Sequence, residues 1–508
     1  MAVKKKLFPE PATASEGTFS PHGNNMRGFL VLQFRRSLFR PFKSRILLTF
    51  TRVFHKSGPI IHNGIWPHFP TEEESFLLTS LFVLILLLVL IALGVDIFIS
   101  LGLAGVLGIL LFRGPDALTL AATSFFGQET TFELVALPLF VLMGHILAKS
   151  PIGSDLYTMA TRWLSWLPGG LAIASIGACT VFGAVSGVSV AGVAAIGSMA
   201  VPEMLKRGYS YKIAAGSVVT AGALAMLIPP SVPFIIYSAI TGESIAKLFI
   251  GGIVPGLVLA FMLSLYVLIR TMISPELAPR SDEMRFTWSE RWASLGQVWH
   301  VGVLIFLVLG SIYVGIATPT EASAIGAVGG FVIAAVAYRN VDLRRSLGIL
   351  KESMRISVAI MVIMGCAKIF GDYLNMVRIP EMLSNFLIDL HLHRMVLMLA
   401  IQALLLIGGM FVDAASLIVI TTPILMPLIL ALGFDPLWYG IVLVINLELA
   451  IVTPPVGLNL YTLKSCVPSL TLEQIIRSSI PFLMIQLLCL LIFTIYPPLS
   501  LWLPSLVK

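Results

Sequence analysis

Leu227-Ile-Pro-Pro-Ser231 and Val452-Thr-Pro-Pro-Val456 each interrupt a long apolar stretch, and their first prolines lie 225 residues apart. The same spacing separates two further pairs, Pro202 and Pro427, and Gly208 and Gly433. Because proline lacks the N–H that continues a helix, both stretches are predicted to be helices broken at equivalent places. Equivalent broken helices in two halves of one chain indicate a duplicated unit of the kind that secondary transporters use.

The composition places most of the chain in a lipid bilayer. Of its 508 residues, 57% are hydrophobic and 12% are charged, whereas a soluble domain has about 25% charged residues. Between residues 76 and 500, many apolar runs reach the roughly 17–25 residues that a spanning helix needs. None alternates in the manner of a membrane β-barrel strand. We therefore predict an all-α polytopic membrane protein, in which the cysteines are small core residues.

The first 75 residues differ from the rest. Residues 1–71 hold eleven Lys and Arg against two acidic residues, and the remainder of the chain has a net charge of −2. Since the core is not basic, no nucleic-acid partner is predicted. Residues 1–75 also lack an apolar run typical of a secretory signal. We interpret them as a basic N-terminal extension, which is either a surface tail or the result of a mis-assigned start codon.

The remaining chain divides into two predicted membrane repeats, residues 76–272 and 300–505, joined by a polar cytoplasmic linker at 273–299. The first three helices of the repeats are expected near 76–93, 97–112 and 133–149, and near 300–317, 320–337 and 352–373. A hairpin, the broken helix and a closing helix then follow in each half. Each hairpin, 168–207 or 394–432, forms either two crossings or a re-entrant loop with its tip near mid-membrane.

Re-entrant hairpins leave five crossings per half, and an odd number inverts the second half relative to the first. With residue 76 outside, the inner face collects sixteen Lys and Arg and the outer face five, as the positive-inside rule requires. The predicted fold is therefore two inverted-topology repeats, each with about five transmembrane helices plus a re-entrant hairpin and a Pro-Pro-broken helix.

The helix breaks offer sites for ions of both signs. Each proline frees the carbonyl four residues earlier. The freed carbonyls are predicted to be those of Ala225, Met226, Ala450 and Ile451. They end half-helices, where a cation is favoured, whereas the half-helices that start at Ser231 and Val456 favour an anion. A plain proline kink is the alternative at either break.

Polar side chains surround the tips and the breaks. They are Ser186, Gly187 and Ser189 on the first tip, Ser231 after the first break, Asp413 and Ser416 on the second tip, and Asn446, Glu448, Thr453 and Asn459 around the second break. A carboxylate at mid-membrane costs at least about 2.5 kcal/mol, so Asp413 and Glu448 are functional candidates. Alternatively, Asp413 caps the next helix and Glu448 hydrogen-bonds Asn446 or a neighbouring helix. Hydrolase and nucleotide-binding motifs are absent from the sequence, which predicts an ion-driven non-enzyme.

Several motifs resemble one known family. They are Gly409-Met-Phe-Val-Asp413, Ala431-Leu-Gly-Phe-Asp-Pro-Leu-Trp-Tyr-Gly440, Asn446-Leu-Glu-Leu-Ala-Ile-Val-Thr-Pro-Pro-Val-Gly-Leu-Asn459, Arg207-Gly-Tyr209 and Thr318-Pro-Thr-Glu-Ala322. Together they look like the large membrane subunit of TRAP (tripartite ATP-independent periplasmic) transporters, the DctM-like family, over roughly 78–505. At Val188 the chain departs from the serine usual in that family. The family binds Na⁺ near this tip, so the resemblance implies a site in the first half that depends more on backbone carbonyls.

The resemblance implies a Na⁺-coupled, elevator-type importer of organic acids, such as C4-dicarboxylates, in the bacterial inner membrane. Its implied partners are a small four-helix membrane subunit and a periplasmic substrate-binding protein. The implied substrate-binding residues are Ser186, Gly187, Pro230, Ser231, Asp413 and Asn459. The implied Na⁺ ligands are Ser186, Ser189, Ala225, Met226, Asp413, Ser416, Asn446, Ala450 and Thr453. The alternatives are a stand-alone Na⁺/anion symporter with inverted repeats and no binding protein, and a channel-like subunit.

Overall fold

The computed structural model describes residues 72–279, 286–338 and 342–506, and within these ranges all regular structure is helical. The helices of the first half are α1 (Glu72–Ala92), α2 (Ile97–Arg113), α3 (Leu118–Glu129), α4 (Ala136–Ala148), α5 (Ile152–Leu164), α6 (Gly170–Ser186), α7 (Ser189–Lys206), α8 (Tyr211–Ala223), α9 (Val232–Thr241) and α10 (Ile245–Ile273). Short 3₁₀ turns flank α3, α4 and α8.

The second half repeats this order. Its helices are α11 (Trp288–Tyr313), α12 (Pro319–Ala337), α13 (Leu343–Met376), α14 (Ile379–Asp389), α15 (Arg394–Gly409), α16 (Ala414–Ala431), α17 (Pro436–Val452), α18 (Leu458–Cys466), α19 (Leu472–Ile495) and α20 (Pro498–Ser505). Capping boxes at Thr287, Thr318 and Thr471 start α11, α12 and α19, since each satisfies N–H groups that a helix start leaves unpaired.

Helix boundaries repeat with the spacing of the prolines. Helices α7 and α16 start at Ser189 and Ala414, and α8 and α17 start at Tyr211 and Pro436, in both cases 225 residues apart. The repeat also relates the hairpin α6–α7 to α15–α16, and the broken helix α8–α9 to α17–α18. The duplication seen in the sequence is therefore a duplication of whole elements.

The two halves exchange equivalent contacts. In the repeat, α12 corresponds to α2, and α13 corresponds to the pair α3–α4. Helix α2 packs on α13, and in the equivalent contact α12 packs on α4. In the same way α7 packs on α18, and α16 packs on α9. Reciprocal contacts of this kind are what an approximate two-fold relation between halves produces.

Helix length and composition agree with a polytopic membrane protein. Among the described residues, six helices are long and apolar enough to cross a membrane, or seven if the pair α3–α4, bent by 54°, is one span. Helices α6 and α15 have 17 and 16 residues. At 1.5 Å per residue each is about 25 Å long, shorter than the roughly 30 Å hydrocarbon layer. The all-α membrane fold is confirmed.

Some predicted boundaries differ from the observed ones. Helix α3 was not predicted, although subtracting 225 from the start of α13 gives residue 118. Helix α11 begins at Trp288, inside the predicted linker, because Thr287 and Glu290 form its capping box. The half-helices after the breaks begin at Val232 and Leu458. The prediction for the basic extension lies outside the described residues, apart from 72–75, which start α1.

The first segments of the two broken helices, α8 and α17, are buried in the part of the chain that the structure describes. Every residue of α8 from Ile213 to Ala223 is buried, and so is every residue of α17 from Leu437 to Ala450. Helix α8 packs on both arms of the first hairpin, and α17 packs on both arms of the second. Each half therefore places its hairpin tip directly beside its own helix break.

Candidate functional site

The first unit consists of the hairpin tip Ser186–Ser189 and the break Leu227–Ser231. Gly187 ends α6 with a φ of 62°, the left-handed conformation that glycine adopts at little cost. It lies directly against the break, because a Cβ at this position would be 2.5 Å from the carbonyl oxygen of Pro230. The first tip and the first break are thus in close backbone contact.

The polar groups of the first unit are enclosed. Ser186 and Ser231 are both buried, and all of Leu227–Pro230 is buried as well. The Ser231 hydroxyl donates to the Met226 carbonyl, whereas the Ser186 hydroxyl has no hydrogen-bond partner. Ala225 and Met226 lie in the buried 3₁₀ turn that precedes the break. The Met226 carbonyl, a predicted Na⁺ ligand, therefore already accepts a hydrogen bond. The Ser186 hydroxyl, another predicted ligand, has no partner.

The second unit consists of the tip Met410–Asp413 and the break Thr453–Gly457. Asp413 is exposed at the tip and caps α16. Its carboxylate accepts the Ser416 backbone N–H at 3.1 Å and the Ser416 hydroxyl at 2.6 Å. Capping, one of the two roles considered for Asp413, is thus present in the structure. An exposed carboxylate at the tip also remains accessible to a cation.

A cavity of about 220 Å³ separates the second tip from the second break. Asp413 and Met410 line one side of it, and Ala450, Val456 and Gly457 line the other. The Ala450 carbonyl accepts the Thr453 N–H at 3.0 Å, so the prediction that this carbonyl is left free is wrong. The chain turns back on itself after the last helical residue, and the turn supplies that N–H.

A polar contact between the two halves connects the first tip to the helix that follows the second break. Asn459, just after the second break, bonds Ser189 on the first tip, with its amide nitrogen 2.8 Å from the hydroxyl oxygen. The same nitrogen donates to the Val219 carbonyl of α8 at 3.2 Å. Ser189 and Asn459 are both buried. This bridge fixes the first tip to the broken helix of the other half.

Two more buried polar residues, Asn446 and Glu448, lie in α17 before the second break. The Asn446 amide donates to the backbone and side-chain oxygens of Gln402 on α15, at 2.8 and 2.5 Å. Its own oxygen has no partner, and neither carboxylate oxygen of Glu448 has one. Both residues are fully buried. The alternative considered for Glu448, a hydrogen bond to Asn446 or to a neighbouring helix, is therefore not formed, and an unpartnered buried carboxyl group remains.

The structure brings the predicted residues together in three groups. Gly187 meets Pro230, Ser189 meets Asn459, and Asp413 with Ser416 lies across a cavity from Ala450. Thr453 sits at the second break, where its hydroxyl donates to the Leu449 carbonyl at 2.6 Å. The sequence reasoning did not include Gln402, although an amide inside an apolar helix is a signal that it needs a polar partner.

Other known proteins are similar to this chain. Residues 84–499 match the family described as the tripartite ATP-independent periplasmic transporter, DctM component. A C4-dicarboxylate TRAP transporter large permease protein of Pseudomonas aeruginosa is 38% identical over 80% of this chain and 94% of its own length. An isethionate TRAP transporter permease protein of Oleidesulfovibrio alaskensis is 37% identical over 80% of this chain and 63% of its own length.

Among solved structures, the YdaH transporter of Alcanivorax borkumensis, described as having an unusual topology, matches with a TM-score of 0.55 and 18% identity. The match covers 84% of this chain and 97% of that one, and at this identity it concerns the fold alone. The family match spans most of the chain, including both hairpins and both helix breaks. The chain therefore belongs to the DctM component family of the tripartite ATP-independent periplasmic transporters, as a large permease subunit.

Proposed function

We propose that this permease subunit imports a small organic acid together with Na⁺, through a site formed by the hairpin tips and the helix breaks. The anion is delivered by a periplasmic binding protein, and a small four-helix membrane subunit completes the complex. The observation that carries the proposal is the pairing of tip and break in both halves, with side-chain oxygens that have no protein partner.

Sodium is a hard cation that takes oxygen ligands, as other hard cations do. The Ser186 hydroxyl and the Asn446 side-chain oxygen are both buried without a hydrogen-bond partner. In a native fold such groups need an explanation, and a bound ion or water is one. Ser186 and Asn446 are therefore the strongest candidates among the nine predicted Na⁺ ligands.

The anion is assigned to the second unit, where the cavity lies. The N-terminus of α18 begins at Leu458, which lines this cavity, and helix N-termini attract anions. Na⁺ bound near Asp413 offsets the negative charge of its carboxylate, which allows the negatively charged substrate to approach. The relatives are named for C4-dicarboxylates and for isethionate, which is a sulfonate. These small anions are the first substrates to test.

The proposed transport cycle is an elevator motion. The hairpins and broken helices move as one body relative to helices α2, α12 and α13. With the start of α1 outside the cell, the basic residues collect on the inner face of the bacterial inner membrane. One positive charge that crosses 100 mV supplies about 2.3 kcal/mol, enough to concentrate an acid when one or two net charges enter.

Uptake of radiolabelled C4-dicarboxylates and isethionate into proteoliposomes tests the proposal. The vesicles contain this chain and its small-subunit neighbour, with and without an inward Na⁺ gradient and the cognate binding protein. We expect uptake only when the gradient and the binding protein are both present. A matched K⁺ gradient is the control for membrane potential and osmotic effects.

Two other outcomes would replace the proposal. Na⁺-driven uptake without the binding protein identifies a stand-alone symporter. Flux that neither saturates with substrate nor shows counterflow identifies a channel-like subunit. Absence of Na⁺ dependence in a complex that does transport removes Na⁺ as the coupling ion.

A further inference from the structure

A groove of about 440 Å³ lies on the surface between α4, α12 and α13, where the first half of the chain packs on the second. Its walls are apolar along most of their length, with Leu142 from α4, Val328 and Phe331 from α12, and Leu350 from α13. Val328 is 65% exposed and Phe331 46% exposed. The groove therefore presents exposed apolar surface.

Positive charge is confined to one end of this groove. Lys149 follows the last residue of α4, and Arg345 lies in the first turn of α13; both line the groove. They lie next to each other, because a guanidinium nitrogen of Arg345 donates to the Lys149 carbonyl at 2.5 Å. The hydroxyls of Ser150 and Ser346 line the same end. Apolar walls that lead to a basic, hydroxyl-bearing end have the polarity of a phospholipid.

The acidic neighbours do not cancel this charge. Lys149 lies 3.2 Å from Glu352, and both side chains are about half exposed, where an ion pair is weak and readily exchanges partners. Arg344, next to Arg345, is exposed as well. Counting Lys149, Arg344 and Arg345 against Glu352 and Asp342, the basic groups are in the majority.

The length of α13 places the basic end at headgroup level. This helix has 34 residues and is therefore about 51 Å long, whereas the hydrocarbon layer is about 30 Å thick. The helix is therefore longer than the layer is thick. Because its first turns carry the exposed Arg344 and Arg345, and charged side chains avoid the hydrocarbon, we assign these turns to the headgroup region. In the orientation given under the proposed function, on which this step rests, that end faces the cytoplasm.

We propose that the groove binds one anionic phospholipid, with its phosphate at Lys149 and Arg345 and an acyl chain along Val328, Phe331 and Leu350. Basic pockets between membrane helices on the cytoplasmic side bind acidic lipid headgroups in this way. The bound lipid contacts helices of both halves, so it ties α4 of the first repeat to α12 and α13 of the second. An apolar helix of a partner protein would need the walls but not the two cations.

Lipid binding to the purified chain tests the proposal without any transport assay, so its result is independent of the transported substrate. Delipidated protein in detergent is titrated with phosphatidylglycerol or phosphatidylcholine, and bound lipid is counted by native mass spectrometry and by the shift in thermal unfolding. We expect one tight phosphatidylglycerol per chain and a higher unfolding midpoint, with little effect of phosphatidylcholine. Inorganic phosphate at the same concentration should have no effect, because it lacks the acyl chain.

Two variants locate the site. Lys149→Gln with Arg345→Gln should weaken phosphatidylglycerol binding about fivefold for each removed charge. The control is Lys351→Gln with Arg355→Gln, two exposed basic residues of the same helix that do not line the groove. Ala324→Phe, at an exposed residue that lines the groove, should block the acyl chain and abolish the tight lipid while it keeps both charges.

Three results would overturn the proposal. They are equal responses to the two lipids, unchanged phosphatidylglycerol binding in the Lys149/Arg345 variant, and loss of binding in the control variant of equal size. A fourth result that would overturn it concerns the small subunit. If its presence protects Val328→Cys from a membrane-soluble maleimide in lipid-free detergent, a protein helix occupies the groove instead.

Discussion

The two units share one backbone plan but differ in how tightly they close. In the first unit, tip and break touch, with Gly187 against the Pro230 carbonyl, and all residues of both except the half-buried Val188 are buried. In the second unit, the tip carries an exposed Asp413 and a cavity of about 220 Å³ lies between tip and break. Duplication therefore produced one closed unit and one open unit, and the proposed substrate site is assigned to the open one.

The two units also differ in the side chains at equivalent positions. Gly187 corresponds to Val412, so the second tip carries a side chain where the first tip has none. Val188 corresponds to Asp413, and Ser231 corresponds to Val456. The carboxylate that caps a helix therefore belongs to the open unit, and the hydroxyl that donates to the Met226 carbonyl belongs to the closed one. The two copies of the repeat thus share one backbone plan and differ in the polar groups that they present.

Gly187→Ala is expected to have the largest effect, because it forces the closed unit open. A non-glycine residue in the left-handed region costs about 1–3 kcal/mol, and the added Cβ would also press on the Pro230 carbonyl. We expect most folded protein and transport to be lost, as measured by size-exclusion chromatography and uptake. Gly242→Ala is the control, since Gly242 has a φ of 76° but nothing within 4 Å. Equal losses would show that close approach is unimportant.

Asn459→Ala breaks the bridge between the closed unit and the second broken helix. The substitution leaves the Ser189 hydroxyl and the Val219 carbonyl buried without this partner. Each buried group left unsatisfied lowers the free energy of unfolding by about 1–3 kcal/mol. We expect a lower thermal unfolding midpoint than in Ser189→Ala. In the double variant the two effects should be less than additive, and strict additivity would mean that the two side chains do not interact in the native state.

Asp413→Ala tests the open unit. We expect Na⁺-dependent uptake to fall about tenfold, which corresponds to about 1.4 kcal/mol, with near-normal expression. Asp413→Asn separates the two roles of this residue, since asparagine retains the helix cap but not the charge. If the asparagine variant keeps the Na⁺ dependence of the parent protein, Asp413 is only a cap. Val188→Ala, at the equivalent position of the closed unit, should leave Na⁺ dependence unchanged.

Ser231→Ala has the smallest expected effect. It removes the donor to the Met226 carbonyl and should lower the free energy of unfolding by about 1 kcal/mol. Val456→Ala changes the equivalent, exposed residue of the open unit and should stay within about 0.5 kcal/mol. A larger effect of Val456→Ala in thermal denaturation would mean that the second break also contributes to stability.

Much of the fold was predictable because membrane helices leave strong local signals. The two Pro-Pro breaks, the two hairpins and the 225-residue repeat follow from apolar runs and from the positions of proline and glycine. Helix α3 and the early start of α11 were missed. The first is short and bent against α4, and the second depends on a capping box inside a polar segment.

The candidate site was predictable only in part. Asp413, Ser186 and the breaks stand out as polar or helix-breaking residues in apolar sequence, and the structure places each at a tip or break. The pairing of Asn446 with Gln402, and of Ser189 with Asn459, joins residues 44 and 270 positions apart. No local pattern specifies such partners, because they depend on how helices of different segments pack.

The sequence by itself determined the membrane fold and the duplication, since composition and proline spacing act through local backbone chemistry. The family followed from the resemblance of its motifs to those of known proteins. The tertiary structure decided which unit closes, which oxygens remain without partners, and where the halves exchange helices. Those outcomes depend on contacts between distant segments, in which one Cβ or one hydroxyl decides whether two backbones can touch.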